Sequence, residues 1–104
     1  MPQYVMLIKL TPQGAEQYAS NLAPTVAALA EAMTELGGTM DPLITFGRYD
    51  IVASGSVPSA EDLAYFATQL AHGGFFTAET QVAFSLEEWD PIDLRPSKGK
   101  PFGK

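Results

Sequence analysis

Tyr49 and Asp50 are the pair in this chain whose side chains most invite a chemical reading. Aspartate is disfavoured inside β-strands, yet Asp50 lies in a stretch of strand-forming residues, so something must hold it there. One reading sets Tyr49 and Asp50, together with Arg48, at a ligand pocket beside a hairpin. The other has Asp50 accepting hydrogen bonds from turn amides or pairing with Lys9 or Arg48, while Tyr49 packs at an interface. Lys9 and Glu79 form a second candidate pair, because their segments would be neighbouring strands. On an uncovered sheet face an oligomer interface would desolvate both and perturb their proton affinities, as functional sites often do; a partly solvated ion pair is the plainer outcome. His72 is the only histidine and precedes Gly73-Gly74. At a helix end its cationic form would meet the dipole favourably, and a base or haem-type axial ligand is the functional alternative. A single histidine builds no two-histidine metal site, and no HExxH spacing exists.

Other signatures are missing. The chain has no cysteine, which removes disulfides, thiolate catalysis and cysteine-bound zinc or iron–sulfur clusters. Ser54-Gly55-Ser56 lacks the Gly-x-Ser-x-Gly pattern of a nucleophile elbow. Gly37-Gly38 and Gly73-Gly74 follow helical segments, whereas phosphate loops precede them. Trp89 among Glu87, Glu88, Asp90 and Asp93 makes an acidic aromatic patch, suited to weak cation binding or to anchoring the chain end. No metal site and no cofactor are expected.

The elements that must position these residues follow from periodicity. Residues 4–10 are rich in β-formers and too short for a helix, so they read as a strand, broken by Thr11-Pro12-Gln13-Gly14. A short helical turn is expected over residues 15–22. Pro24 suits a first helical position, and Val26, Leu29, Ala30, Met33 and Leu36 then repeat at helical spacing up to Gly37-Gly38. Residues 39–46 form a second strand, and Gly47-Arg48 reads as a two-residue hairpin loop with glycine at positive φ. Residues 49–57 form a third strand. Ser59 caps a second helix, with Asp62 in the third position of a capping-box variant and Leu63, Phe66, Ala67 and Leu70 as its apolar stripe. Residues 75–85 alternate as a half-buried fourth strand. Over residues 86–104 the prolines leave no long element, and the chain beyond Arg95 is expected to be mobile.

The order β-α-β-β-α-β predicts an α+β, ferredoxin-like domain: a four-stranded antiparallel sheet in order 4-1-3-2 with two helices on one face. The first strand is apolar on both sides, Val5 and Leu7 against Tyr4, Met6 and Ile8. A sheet with one wet face alternates cleanly, so the open face is expected to meet another copy of the chain, a ligand or the chain's own end. Self-association is the simplest of these.

Composition agrees. The chain of 104 residues is 46% hydrophobic and 17% charged, values of one folded domain able to bury about two thirds of its unfolded surface. The net charge is −6, but Arg95, Lys98, Lys100 and Lys104 fall in the last ten positions. Residues 1–94 carry Lys9 and Arg48 against all twelve acidic side chains, a net of 2 − 12 = −10. Such a body repels phosphate backbones and argues against nucleic-acid binding. No apolar run approaches the roughly 20 residues of a membrane helix and no leader pattern opens the chain, so the cytoplasm is the expected compartment.

The run Tyr4-Val5-Met6-Leu7-Ile8-Lys9-Leu10-Thr11-Pro12-Gln13-Gly14, the Leu36-Gly37-Gly38 helix end and Gly47-Arg48-Tyr49-Asp50-Ile51-Val52 resemble the GYD-domain family, over about residues 3–88. The resemblance implies a ferredoxin-like fold of the dimeric α/β-barrel type, with residues 1–88 as the domain and 89–104 as a basic, proline-containing tail. It implies no activity. Three functions are therefore carried forward: a small homo-oligomeric protein holding a small molecule between the open face and a partner subunit; an enzyme like the cofactor-independent oxygenases built on dimeric α/β barrels; and an interaction module acting through its tail.

Overall fold

The computed structural model describes residues 1–93; the four basic residues from Arg95 onward, and the mobility expected there, lie outside the described residues. The N-terminal run of β-formers becomes β1 (Gln3–Leu10), which is hydrogen-bonded along both edges, to β3 (Ile51–Ser56) and to β4 (Phe76–Ala83). β2 (Asp41–Ile44) joins β3 from the far side. All three pairings are antiparallel, and the order β2-β3-β1-β4 is the expected 4-1-3-2 read from the other edge. The two edges differ: β2 has four residues and contains Asp41 and Pro42, whereas β4 has eight residues and no proline.

Between β1 and β2 run α1 (Pro12–Tyr18), a 3₁₀ turn (Ala19–Asn21) and α2 (Leu22–Glu35); α3 (Ala60–His72) links β3 to β4. α2 and α3 lie on one face of the sheet. Val26 and Met33 of α2 and Leu63, Phe66 and Leu70 of α3 share a buried cluster with Tyr4, Met6, Ile8, Ile51, Ala53 and Phe76 from the strands. Burying each large apolar side chain of this kind contributes about 1.5–3 kcal/mol. The α3 start matches the expectation: Ser59 Oγ accepts from the Asp62 amide at 3.1 Å and donates to the Asp62 carboxylate at 2.9 Å.

Several boundaries depart from the expectation. Thr11-Pro12 ends β1 but also opens α1. The Thr11 hydroxyl accepts from the Gly14 amide at 3.0 Å, and Pro12 takes the first helical position, where its missing N–H costs nothing. α2 begins at Leu22, so Pro24 sits within the first turn, which proline tolerates as well. Gly37, at φ 88°, terminates the descent from α2 in the left-handed conformation. β2 is shorter than residues 39–46, and the link to β3 spans residues 45–50 instead of two. Among the described residues only Gly37 and Gly74 have positive φ, so Gly47 is not the hairpin glycine it was expected to be. The chain end also holds a further element, α4 (Leu86–Asp93), started by a capping box: the Glu88 amide donates to Ser85 Oγ at 3.1 Å and the Ser85 amide to Glu88 Oε1 at 2.8 Å. This helix passes the expected domain end at residue 88, and Pro91 lies inside it. Trp89 packs against Phe84 with ring centroids 5.6 Å apart, the anchoring role of its two readings.

One close approach ties the sheet to the α2–β2 connection. The buried Tyr4 hydroxyl donates to the Thr39 carbonyl at 2.7 Å, directly over Gly55. A Cβ at position 55 would overlap the Thr39 carbonyl oxygen. Gly55→Ala is therefore expected to cost at least about 2 kcal/mol through overpacking, read from urea unfolding midpoints at unchanged m-value. Burial pushes the Tyr4 phenol up to about 12, while the unfolded phenol ionises near 10. The fold favours the neutral form, so its contribution is complete below pH 10 and disappears as pH rises through about 12. Tyr4→Phe should be less stable at neutral pH yet lose less stability than the wild type across that window; parallel alkaline unfolding curves would refute the assignment.

Candidate functional site

The loop 45–50 is positioned by hydrogen bonds to residues far away in sequence. The Thr45 amide donates to the Asp50 carbonyl at 2.9 Å, closing the loop, and the Thr45 hydroxyl donates to the Tyr49 carbonyl at 2.6 Å. Two bonds then fix Asp50 to β1. Its amide donates to the Ile8 carbonyl at 2.9 Å, and its carboxylate accepts from the Leu10 amide at 2.8 Å. The carboxylate thus extends the β1–β3 ladder beyond its last pair, Ile8 with Ile51. These bonds give an aspartate in a strand-like stretch a backbone-satisfying role.

With the loop held there, Arg48 and Tyr49 come over the face of the sheet opposite the helices. Odd-numbered residues of β1 point to that face, and their directly opposed partners share it: Glu79 faces Leu7, and Thr77 faces Lys9. The Tyr49 hydroxyl donates to Glu79 Oε2. The Arg48 guanidinium lies over the Tyr49 ring, 5.7 Å from its centroid, a cation–π arrangement. Lys9 Nζ donates to the Arg48 carbonyl at 3.1 Å. Lys9, Arg48, Tyr49, Thr77 and Glu79, over a floor of Leu7, line an open pocket of about 190 Å³.

Four of the six residues singled out in the sequence therefore meet at one site. Asp50 is adjacent and structural. His72 is the exposed last residue of α3 and does not line the pocket. Thr45 and Thr77 were not anticipated. Threonine carries no signal of its own; the loop geometry places Thr45 and the β1–β4 register places Thr77. A larger concavity of about 450 Å³ lies in the helix layer, lined by Leu29, Glu35, Tyr65, Phe66 and Gln69 among others, and a third of about 390 Å³ lies at the Gln3–Ser56 end of the sheet. Neither gathers cations or more than one carboxylate. Among the described residues no group of three potential metal ligands occurs, and no helix is long and apolar enough to cross a membrane.

The Tyr49 phenol is held above its ordinary value of 10.0. The hydrogen bond to Glu79 is the main cause, partial desolvation and the Glu79 charge add to it, and Arg48 opposes. At neutral pH Tyr49 is thus a donor, and a poor candidate for a base.

An antiparallel sheet in this order, covered by helices on one side and carrying a polar pocket on the other, defines a ferredoxin-like α+β protein. The GYD-domain family model matches residues 4–92 of the 104-residue chain, and the chain belongs to that family. No curated protein and no solved structure matches it significantly.

Two measurements check this geometry. Removing the Asp50 carboxylate leaves the Leu10 amide without its acceptor, so Asp50→Ala is expected to cost about 1–3 kcal/mol, with Asp50→Asn recovering most of it. Equal losses in the two variants would show that the oxygen acceptor is not what matters. In ultraviolet titration at the phenolate band, the Tyr49 midpoint, isolated by difference from Tyr49→Phe, should fall in Glu79→Gln. An unchanged midpoint would contradict the Tyr49–Glu79 hydrogen bond.

Proposed function

We propose that this chain is a homo-oligomeric, cytoplasmic small-molecule-binding protein whose ligand occupies the pocket formed by Lys9, Arg48, Tyr49 and Glu79, with a second copy covering the open sheet face. The observation that carries this reading is convergence: polar side chains from β1, the 45–50 loop and β4 are brought to one concavity on the face away from the helices. Such convergence of a few polar groups over an apolar floor is what ligand sites require.

The oligomer is supported by the rest of that face. Leu43, Val52 and Leu7 are directly opposed across β2, β3 and β1 and form an apolar row leading to Glu79. Leu43 is 65% exposed, and Val5, Leu7 and Val52 are only half-buried. A contiguous apolar strip of this kind favours association over hydration. A copy related by a two-fold axis would bury the same row on both molecules, as isologous interfaces do.

Native mass spectrometry of the full chain at micromolar concentration is expected to show a homo-oligomer. Leu43→Glu should shift it to monomer with a melting temperature unchanged within a few degrees, since exposed substitutions typically alter stability by about 0.5 kcal/mol or less. A monomeric wild type, or a Leu43→Glu variant that stays assembled, would defeat the proposed interface.

A further inference from the structure

We propose that the pocket's ligand is a small organic anion that carries a hydroxyl group in addition to its carboxylate. This rests on the binding reading above and adds the ligand's chemical class.

The argument begins with scarcity. Residues 1–93 contain twelve acidic side chains and only two strongly basic ones, Lys9 and Arg48. The two are 39 positions apart and stand on different elements, yet the fold brings both to one pocket of about 190 Å³ and links them through the Lys9 hydrogen bond to the Arg48 carbonyl. A body of net charge −10 repels anions over its surface, so this pocket, where the two cations converge, is where a small anion finds cationic donors. Cations serving only solubility would be dispersed among the acidic groups of the surface.

The single carboxylate in the pocket does not cancel them. Glu79 accepts from the Tyr49 hydroxyl, and among the described residues no hydrogen bond joins it to Lys9 or Arg48. Lysine has three donors and uses one on the Arg48 carbonyl. The guanidinium has five donors in a planar fork that matches a carboxylate, and it lies over the Tyr49 ring, 5.7 Å from the centroid. Glu79 retains lone pairs for a ligand hydroxyl, and Leu7 offers an apolar floor for a small body. The polar pattern is thus two cationic donors and one acceptor. The volume, about 190 Å³, lies below the roughly 300 Å³ at which drug-sized pockets begin, and it fits a one-ring or short-chain acid.

The test uses the ¹⁵N-labelled full chain, titrated while its amide resonances are followed, with 4-hydroxybenzoate, its neutral amide 4-hydroxybenzamide, the cation tyramine, and inorganic phosphate. The expected result is saturable movement of the Lys9, Arg48, Tyr49 and Glu79 amides by 4-hydroxybenzoate, with the neutral amide at least about tenfold weaker, a difference of about 1.4 kcal/mol. Arg48→Gln and Lys9→Gln should each weaken the acid severalfold while melting as the wild type does. Equal binding of acid and neutral amide would overturn the anion assignment and leave the pocket standing as a binding site. Phosphate binding as tightly as the hydroxy acid would overturn the organic class. Wild-type affinity in both glutamine variants would remove the two cations from recognition. Silence of these amides toward all four probes would overturn the ligand class and the binding reading together.

Discussion

The two-sidedness of β1 is the constraint on which the rest of this molecule depends. Side chains alternate across a strand, so a central strand with partners on both edges must serve two environments at once. Tyr4, Met6 and Ile8 go to the helix layer and are fully buried, while Val5, Leu7 and Lys9 go to the open face. A register slip of one residue would exchange the two sets, placing Lys9 in the helix-covered core and turning the core outward. The helices, the pocket floor and the apolar row across the sheet are all consequences of that one alternation.

The pocket depends in turn on where the β1–β3 ladder ends. Beyond Ile51 the backbone no longer pairs as a strand, and the Asp50 carboxylate supplies the acceptor that a strand carbonyl would have provided for Leu10. Satisfying that amide with a side chain lets the main chain leave the sheet plane, and Arg48 and Tyr49 cross toward β4. The site is thus a by-product of a finished backbone hydrogen-bond account. The aspartate supports the backbone, and the two residues before it, Arg48 and Tyr49, line the pocket.

The layering was legible in the sequence because hydrophobic period reports burial directly. The apolar stripes of Val26, Met33, Leu63, Phe66 and Leu70 mark the inner faces of α2 and α3, and the two-sided run at residues 4–8 marks the central strand. The grouping of Lys9, Arg48, Tyr49 and Glu79 was legible as a set of suspects, and the strand order brings them together. What escaped was local punctuation with more than one meaning. Thr11-Pro12 ends a strand and starts a helix with equal ease, and sequence favours the first reading when the preceding run is strongly β-forming. Ser85-Leu86-Glu87-Glu88 is a capping box, but the prolines that follow it carry the opposite, helix-breaking signal. Gly47-Arg48 looked like a tight turn because nothing nearby in sequence reveals that the Ile8 carbonyl and Leu10 amide, some forty residues earlier, would claim Asp50.

The unequal edges of the sheet limit how these molecules can aggregate. An open-ended β-fibre needs two adhesive edges per molecule, so that each added copy presents a fresh one. β2 is a poor template: it is four residues long, Pro42 brings no N–H, and Asp41 brings charge. β4, eight residues long and free of proline, is the adhesive edge. Two molecules joining along β4 would consume both adhesive edges and leave only blunted ones, so strand-to-strand addition closes at a pair and cannot propagate.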